Sequence, residues 1–110
     1  MGEHDFGTQP LDGLMEMWGL SNHDLVAASP EQLTHKQVQR ARTGRQLTLK
    51  MMMKLTRAFN IAIWYRLDDG QKERFDEYGH KALFSYTKGH ALLESQANAR
   101  LAEELQGTAE

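Results

Sequence analysis

Seven cationic side chains, Lys36, Arg40, Arg42, Arg45, Lys50, Lys54 and Arg57, stand between residues 34 and 57 with no Asp or Glu among them. Residues 1–33 are the reverse, with six acids (Glu3, Asp5, Asp12, Glu16, Asp24, Glu31) and no Lys or Arg. Lys and Arg supply hydrogen-bond donors and positive charge to phosphate oxygens. A basic block this confined, in a chain of formal net charge −2, is the footprint of a nucleic-acid-binding surface. The alternative is a solvated helix face whose charges serve solubility alone.

Other chemistry finds little support. The chain has no Cys, which excludes disulfides, thiolate metal sites and a cysteine nucleophile. It has no Gly-rich phosphate loop and no G-x-S-x-G elbow, so a non-enzyme without cofactor is expected. The best metal candidate pairs Asp76 with His80, with Glu77 and His90 nearby, but Gly79 interrupts the helix that would align them, and no metal is expected. Trp64 and Tyr65 are not interleaved with basic residues and read as packing and surface rather than as a base-stacking platform.

The elements that must position the basic block fit one modest domain of 110 residues. Its longest nearly apolar stretch, Ile61 to Tyr65, is far short of the ~20 residues that cross a bilayer. The opening MGEHDFGTQP lacks the charged and apolar regions of a secretory signal, and Phe6 spoils the myristoylation pattern that Gly2 suggests. A cytoplasmic protein with no membrane partner is expected.

Leu11, Leu14, Met15 and Trp18 fall at i, i+3, i+4 and i+7, a buried stripe on a helix that Gly19 ends. Ser21 caps a second helix with Asp24 three residues later and Leu20 and Leu25 as staple, and this helix ends near Ser29-Pro30. The same grammar recurs at Thr34, Gln37, Leu33 and Val38, so a third helix buries Val38 and Ala41 and stops at Gly44. Thr48 caps a fourth, with Leu49, Met52, Met53, Leu55, Thr56 and Phe59 inward and Asn60 as its stop. Ile61 to Leu67 suggests a short fifth helix, Asp68-Asp69-Gly70 a turn, and Gln71 to Tyr78 a helix with Phe75 and Tyr78 inward. Lys81 to Gly89 has apolar mass but no assignable form. Ala91 to Leu105, with Leu93, Ala97, Leu101 and Leu105 at four-residue spacing, reads as a terminal amphipathic helix, either a dimerisation helix or a frayed tail.

Ser21 to Gly44 has the layout of a helix-turn-helix. Leu20-Ser21 through Leu25-Val26-Ala27, Leu33-Thr34 through Val38-Gln39-Arg40, Thr43-Gly44-Arg45, Thr48-Leu49 through Met52-Met53-Lys54-Leu55, and Ala58-Phe59-Asn60-Ile61 together resemble the phage-repressor and Cro (lambda-repressor-like, XRE) DNA-binding domain. The resemblance covers Leu11 to about Leu67. It departs from the family at Arg42, where Glu is usual, at Met15, where Glu's Arg partner is usual, and at Asn22, where Gln is usual. The link Ser29-Pro30-Glu31-Gln32 also makes the step from Leu25 to Val38 about two residues longer than the usual pattern.

The resemblance implies that the third helix lies in the major groove while the second crosses the backbone. His35, Lys36, Gln39 and Arg40 then match the base-reading positions, Lys and Arg suiting guanine O6 and N7 and Gln suiting adenine. Asn22, Thr43, Arg45 and Lys50 are the expected phosphate contacts. Arg42 is expected either to pair with Glu16 or to touch a phosphate, and Lys54 and Arg57 to be solvated.

These readings converge on an all-α protein: a four- or five-helix lambda-repressor-like bundle with a C-terminal helical extension. Residues 1–10 are expected to be a disordered tail, 11–67 the DNA-binding domain and 68–110 the extension. The function expected is sequence-specific binding of double-stranded DNA as a small transcriptional regulator, with a homodimer or protein partner engaged through the C-terminal helix. The alternative is a protein-interaction module, antitoxin-like or adaptor, on the same fold.

Overall fold

The computed structural model describes residues 5–91 and 95–107. These form seven helices: α1 (Pro10–Trp18), α2 (Asn22–Ala28), α3 (His35–Thr43), α4 (Leu49–Trp64), α5 (Asp69–Arg74), α6 (His80–Leu83) and α7 (Gln96–Gly107). The fold is all-helical. Among the described residues the one extended pairing is an isolated antiparallel bridge between Asp5 and Arg45.

The first four helices begin where local chemistry directs. Pro10 starts α1, its missing N–H costing nothing in a first turn, and Gly19 ends it at φ 69°. Ser21 and Asp24 form a reciprocal capping box on α2, Thr34 and Gln37 another on α3, and the Thr48 hydroxyl caps α4. Gly44 ends α3 at φ 106°, a conformation closed to most side chains, and the Gly7 backbone lies where a Cβ would project.

Leu11, Met15, Trp18, Leu25, Val38, Ala41, Met52, Leu55, Phe59 and Ile63 are buried in one core that also takes in Tyr78, Leu83, Phe84 and Leu101. The boundary expected at residue 67 therefore does not separate two cores. α2 packs on α3 and α4, while α1 packs on α3, α6 and α7. Trp18, at the end of α1, donates its indole N–H to the Tyr78 phenol oxygen (3.1 Å) deep in that shared core.

Several expectations need correction. The tail expected to be disordered is strapped down from Asp5 onward: Phe6 N–H donates to Gly44 O (2.8 Å), Gln9 N–H to Arg42 O (3.0 Å), and Phe6 stacks on Tyr86 at 4.5 Å. Gln9, only 2% exposed, accepts from Ser85 N–H (2.7 Å). Asn60 is no helix stop, for α4 runs on through it to Trp64, and no separate fifth helix forms over residues 61–67. Its buried amide instead donates to Tyr78 O (2.8 Å) and accepts from Tyr78 N–H (2.9 Å), so its partner is the backbone of another segment. Leu49 and Met53 are 59% and 38% exposed, the core arc being narrower than the apolar pattern implied. Asp68 is a helix cap rather than a turn residue, boxing Gln71, and the helix it starts ends at Arg74, not Tyr78.

α7 docks on α1 and α5. Leu101 is fully buried in the chain's own core and Leu105 is half-buried against it, so the seam expected to dimerise is used internally; Leu93 lies outside the described residues. A buried Asn98 amide in α7 holds Asp76 N–H (2.9 Å) and Asp76 O (2.8 Å), repeating what Asn60 does at Tyr78.

Candidate nucleic-acid interface

Val38 and Ala41 face inward on α3, and the helical repeat then puts His35, Lys36, Gln39, Arg40 and Thr43 together on the opposite arc. All five are exposed. Among the described residues, Lys36 and Arg40 have no side-chain partner, so their donors face solvent. His35 stacks on His23 of α2, ring centroids 5.6 Å apart and planes 18° from parallel, so its ring is braced by the neighbouring helix.

A polar chain fixes α3 against α1 and α2. Arg42 donates from Nε to Asp12 Oδ1 (2.7 Å) and from Nη1 to Asn22 Oδ1 (2.7 Å), and Asn22 Nδ2 donates to Gln39 Oε1 (2.9 Å). Gln39 thus has its acceptor occupied and its amino group free to donate outward. The Arg42 and Asp12 side chains are 17% and 27% exposed, a partly shielded ion pair. Arg42 accordingly pairs with Asp12 rather than with the expected Glu16. Sequence reasoning passed over Asp12. Its signal was an Arg beside the buried Ala41, which called for a carboxylate on the helix it faces.

The expected phosphate contacts divide. Arg45 and Lys50 are exposed at the α3–α4 corner, one in the connecting loop and one in the first turn of α4. Asn22 is half-buried and largely committed to Gln39 and Arg42, leaving it one N–H. Thr43 is exposed, but its hydroxyl donates back to Gln39 O (3.1 Å) and Arg40 O (3.2 Å), so its only proton is spent within the helix. Lys54 and Arg57 are not merely solvated. Lys54 donates to Gln32 O (3.0 Å) and Arg57 to Glu31 (2.8 Å), holding down the 29–34 link between α2 and α3.

Two residues after Asn22 stands Asp24. Its capping bond from the Ser21 backbone, then the Ser21 hydroxyl and Arg66, hold its carboxyl below the usual range. Arg66 lies 3.1 Å from it, so the negative charge on this face carries its own cation. At the other end of α3, Tyr86 accepts from Leu47 N–H (3.1 Å) and donates to Arg45 O (3.4 Å). Burial raises the Tyr86 phenol above its ordinary pKa, which keeps it a donor. The sequence carried no local sign of this contact, since it spans 39 residues.

Among the described residues no group of three or more His, Asp or Glu side chains is arranged to hold a metal ion. No helix of the described residues is long and apolar enough to cross a membrane. No protein family, curated protein or solved structure matches this chain.

Proposed function

We propose that this chain binds double-stranded DNA in a sequence-dependent manner, laying α3 in the major groove, and acts as a small transcriptional regulator of the phage-repressor type. The observation that carries the reading is the exposed arc of His35, Lys36, Gln39 and Arg40. Its cations are unpaired among the described residues, and its Gln is oriented by Asn22 and, through Asn22, by Arg42 and Asp12. A surface kept only for solubility does not need one of its polar side chains locked to a neighbouring helix.

In this reading Lys36 and Arg40 donate to guanine edges and Gln39 donates from its amino group to a base acceptor, each good bidentate pair discriminating by about 1–3 kcal/mol. Arg45 and Lys50 neutralise phosphates, which sets register and makes affinity fall with salt. One recognition helix spans one half-site, so specific binding calls for a second copy or a partner protein.

A second reading, the protein-interaction module, draws on apolar side chains exposed along α4 and at its C-cap. Leu49, Met53, Trp64 and Tyr65 are exposed there, Tyr65 to 76%. Such apolar exposure suits a protein surface.

Selection from a randomised duplex pool, followed by anisotropy titrations at several salt concentrations, separates the two. Lys36→Ala and Arg40→Ala are expected to change the selected motif, and Arg45→Ala to weaken all duplexes alike and lower the salt slope by about one. If none of the three alters DNA binding, the site assignment is wrong; if the wild type selects no motif from the pool, the interaction module takes its place.

A further inference from the structure

The last stretch of the chain repeats the feature that marks its middle. From Tyr78 to Leu93 there is no Asp or Glu, while Lys81, Lys88, His80 and His90 fall within it. The fold brings this second acid-free stretch to the corner that follows the recognition helix. Tyr86 is the attachment, bonded to Leu47 N–H and Arg45 O and stacked on Phe6. Beside it lies an open groove of about 300 Å³, with Gln46 and Leu49 on one wall and His80, Thr87 and Lys88 on the other. Among the described residues no carboxylate lines it.

The turn that presents Lys88 is rigidly built. Thr87 donates its hydroxyl to Phe84 O (2.9 Å), His90 N–H donates to Thr87 O (3.1 Å), and Gly89 takes φ 79°. The His90 ring closes the loop from behind, donating from Nδ1 to Lys81 O (2.6 Å). Lys88 therefore stands exposed at the tip of a braced turn, without a partner among the described residues, across the groove from the first turn of α4 where Lys50 lies.

We propose that Lys88, with His80 beside it, forms a second phosphate-binding point that grips the duplex backbone flanking α3, so that residues 79–90 are part of the DNA-binding surface. This rests on the DNA-binding reading above. Ammonium and imidazole N–H groups both donate, and a phosphodiester is the acceptor-only group that suits a cationic groove with no carboxylate among its described lining residues. Arg45, Lys50 and Lys88 then act together from the α3–α4 loop, α4 and the extension, Asp5 being the acid whose backbone bridges to Arg45 there.

The test is the salt dependence of anisotropy for the full chain on its selected duplex, comparing wild type with Lys88→Gln, Lys50→Gln, the double variant and Lys72→Gln. Lys72 is the control because it removes the same charge away from this corner, over the Trp64 ring at 5.2 Å. Lys88→Gln is expected to lower the salt slope by about one without changing the preferred motif, the double variant by about two, and Lys72→Gln to leave it unchanged. Equal losses from Lys88→Gln and Lys72→Gln would reduce the effect to overall charge and overturn the proposal. An unchanged Lys88→Gln slope beside a lowered Lys50→Gln slope overturns it while leaving DNA binding in place. A wild type that selects no duplex removes the DNA-binding reading, and this inference with it.

Discussion

The α2–α3 corner and the segment from α5 to α7 share the capping box, the latter at Asp68 and Gln71, but are otherwise placed by different means. The corner is assembled from signals a few residues apart: two capping boxes, each closed over three residues, and a glycine at the end of α3. The later segment leans on buried amides that answer distant backbone groups. Asn60 reaches Tyr78 across 18 residues, Asn98 reaches Asp76 across 22, and Gln9 reaches Ser85 across 76. Local devices define where a helix starts. Long-range amides define where a segment without regular structure must lie, and they do so by satisfying N–H and C=O groups that would otherwise be buried unpaired.

Removing an amide of the second kind is therefore the severest way to break the contrast. Asn60→Ala leaves the Tyr78 N–H and C=O without partners in a buried site, and is expected to cost about 2–4 kcal/mol in urea unfolding, with the Trp18 environment changing alongside. Asn98→Ala acts by the same mechanism nearer the surface, and about 1–3 kcal/mol is expected. Thr34→Ala removes only a cap, and about 1 kcal/mol is expected. If Thr34→Ala proves the costliest of the three, the extension is not held as described and the corner carries the fold.

That ordering also explains what could be read in advance. The ends of α3, its buried Val38 and Ala41 and its outward Lys36 and Arg40 follow from helical spacing and capping chemistry, and so does the exposure of Arg45 and Lys50. Asn60 was misread because Asn tolerates the left-handed conformation and so resembles a stop, whereas its true partner lies in a segment whose position no local pattern specifies. The same limit hid the pairing of Arg42 with Asp12 and of Asn22 with Gln39, both set by the distances between helices. Thr43 was legible as exposed but not as internally bonded, because a hydroxyl chooses between the helix carbonyls and an outside acceptor only once the backbone is in place.

The smallest expected effect concerns the outer fastening of the extension, where α5 meets α7. Arg74 Nη2 lies 2.8 Å from Glu104 Oε1, and Gln71 donates to the same oxygen (3.1 Å). The Arg74 hydrogen bonds first, then that from Gln71, bring the Glu104 carboxyl from 4.5 to about 2. A folded-state pKa below the unfolded one means that the contribution is fully present above the unfolded value and is lost as pH falls toward the folded value. The fastening should therefore hold at pH 6 and weaken between about pH 4.5 and 2. The pair is solvent-exposed, so screening keeps its effect small and high salt should diminish it further. Hydrogen exchange across α7 in wild type and Glu104→Gln is the sensitive measurement. The variant should exchange faster than wild type at pH 6 and converge with it toward pH 2, while amides of α2 and α3 remain alike in both proteins. Matching acceleration in α3 would mean that the two regions open together, so that the difference between them lies in how they are built and not in how they come apart.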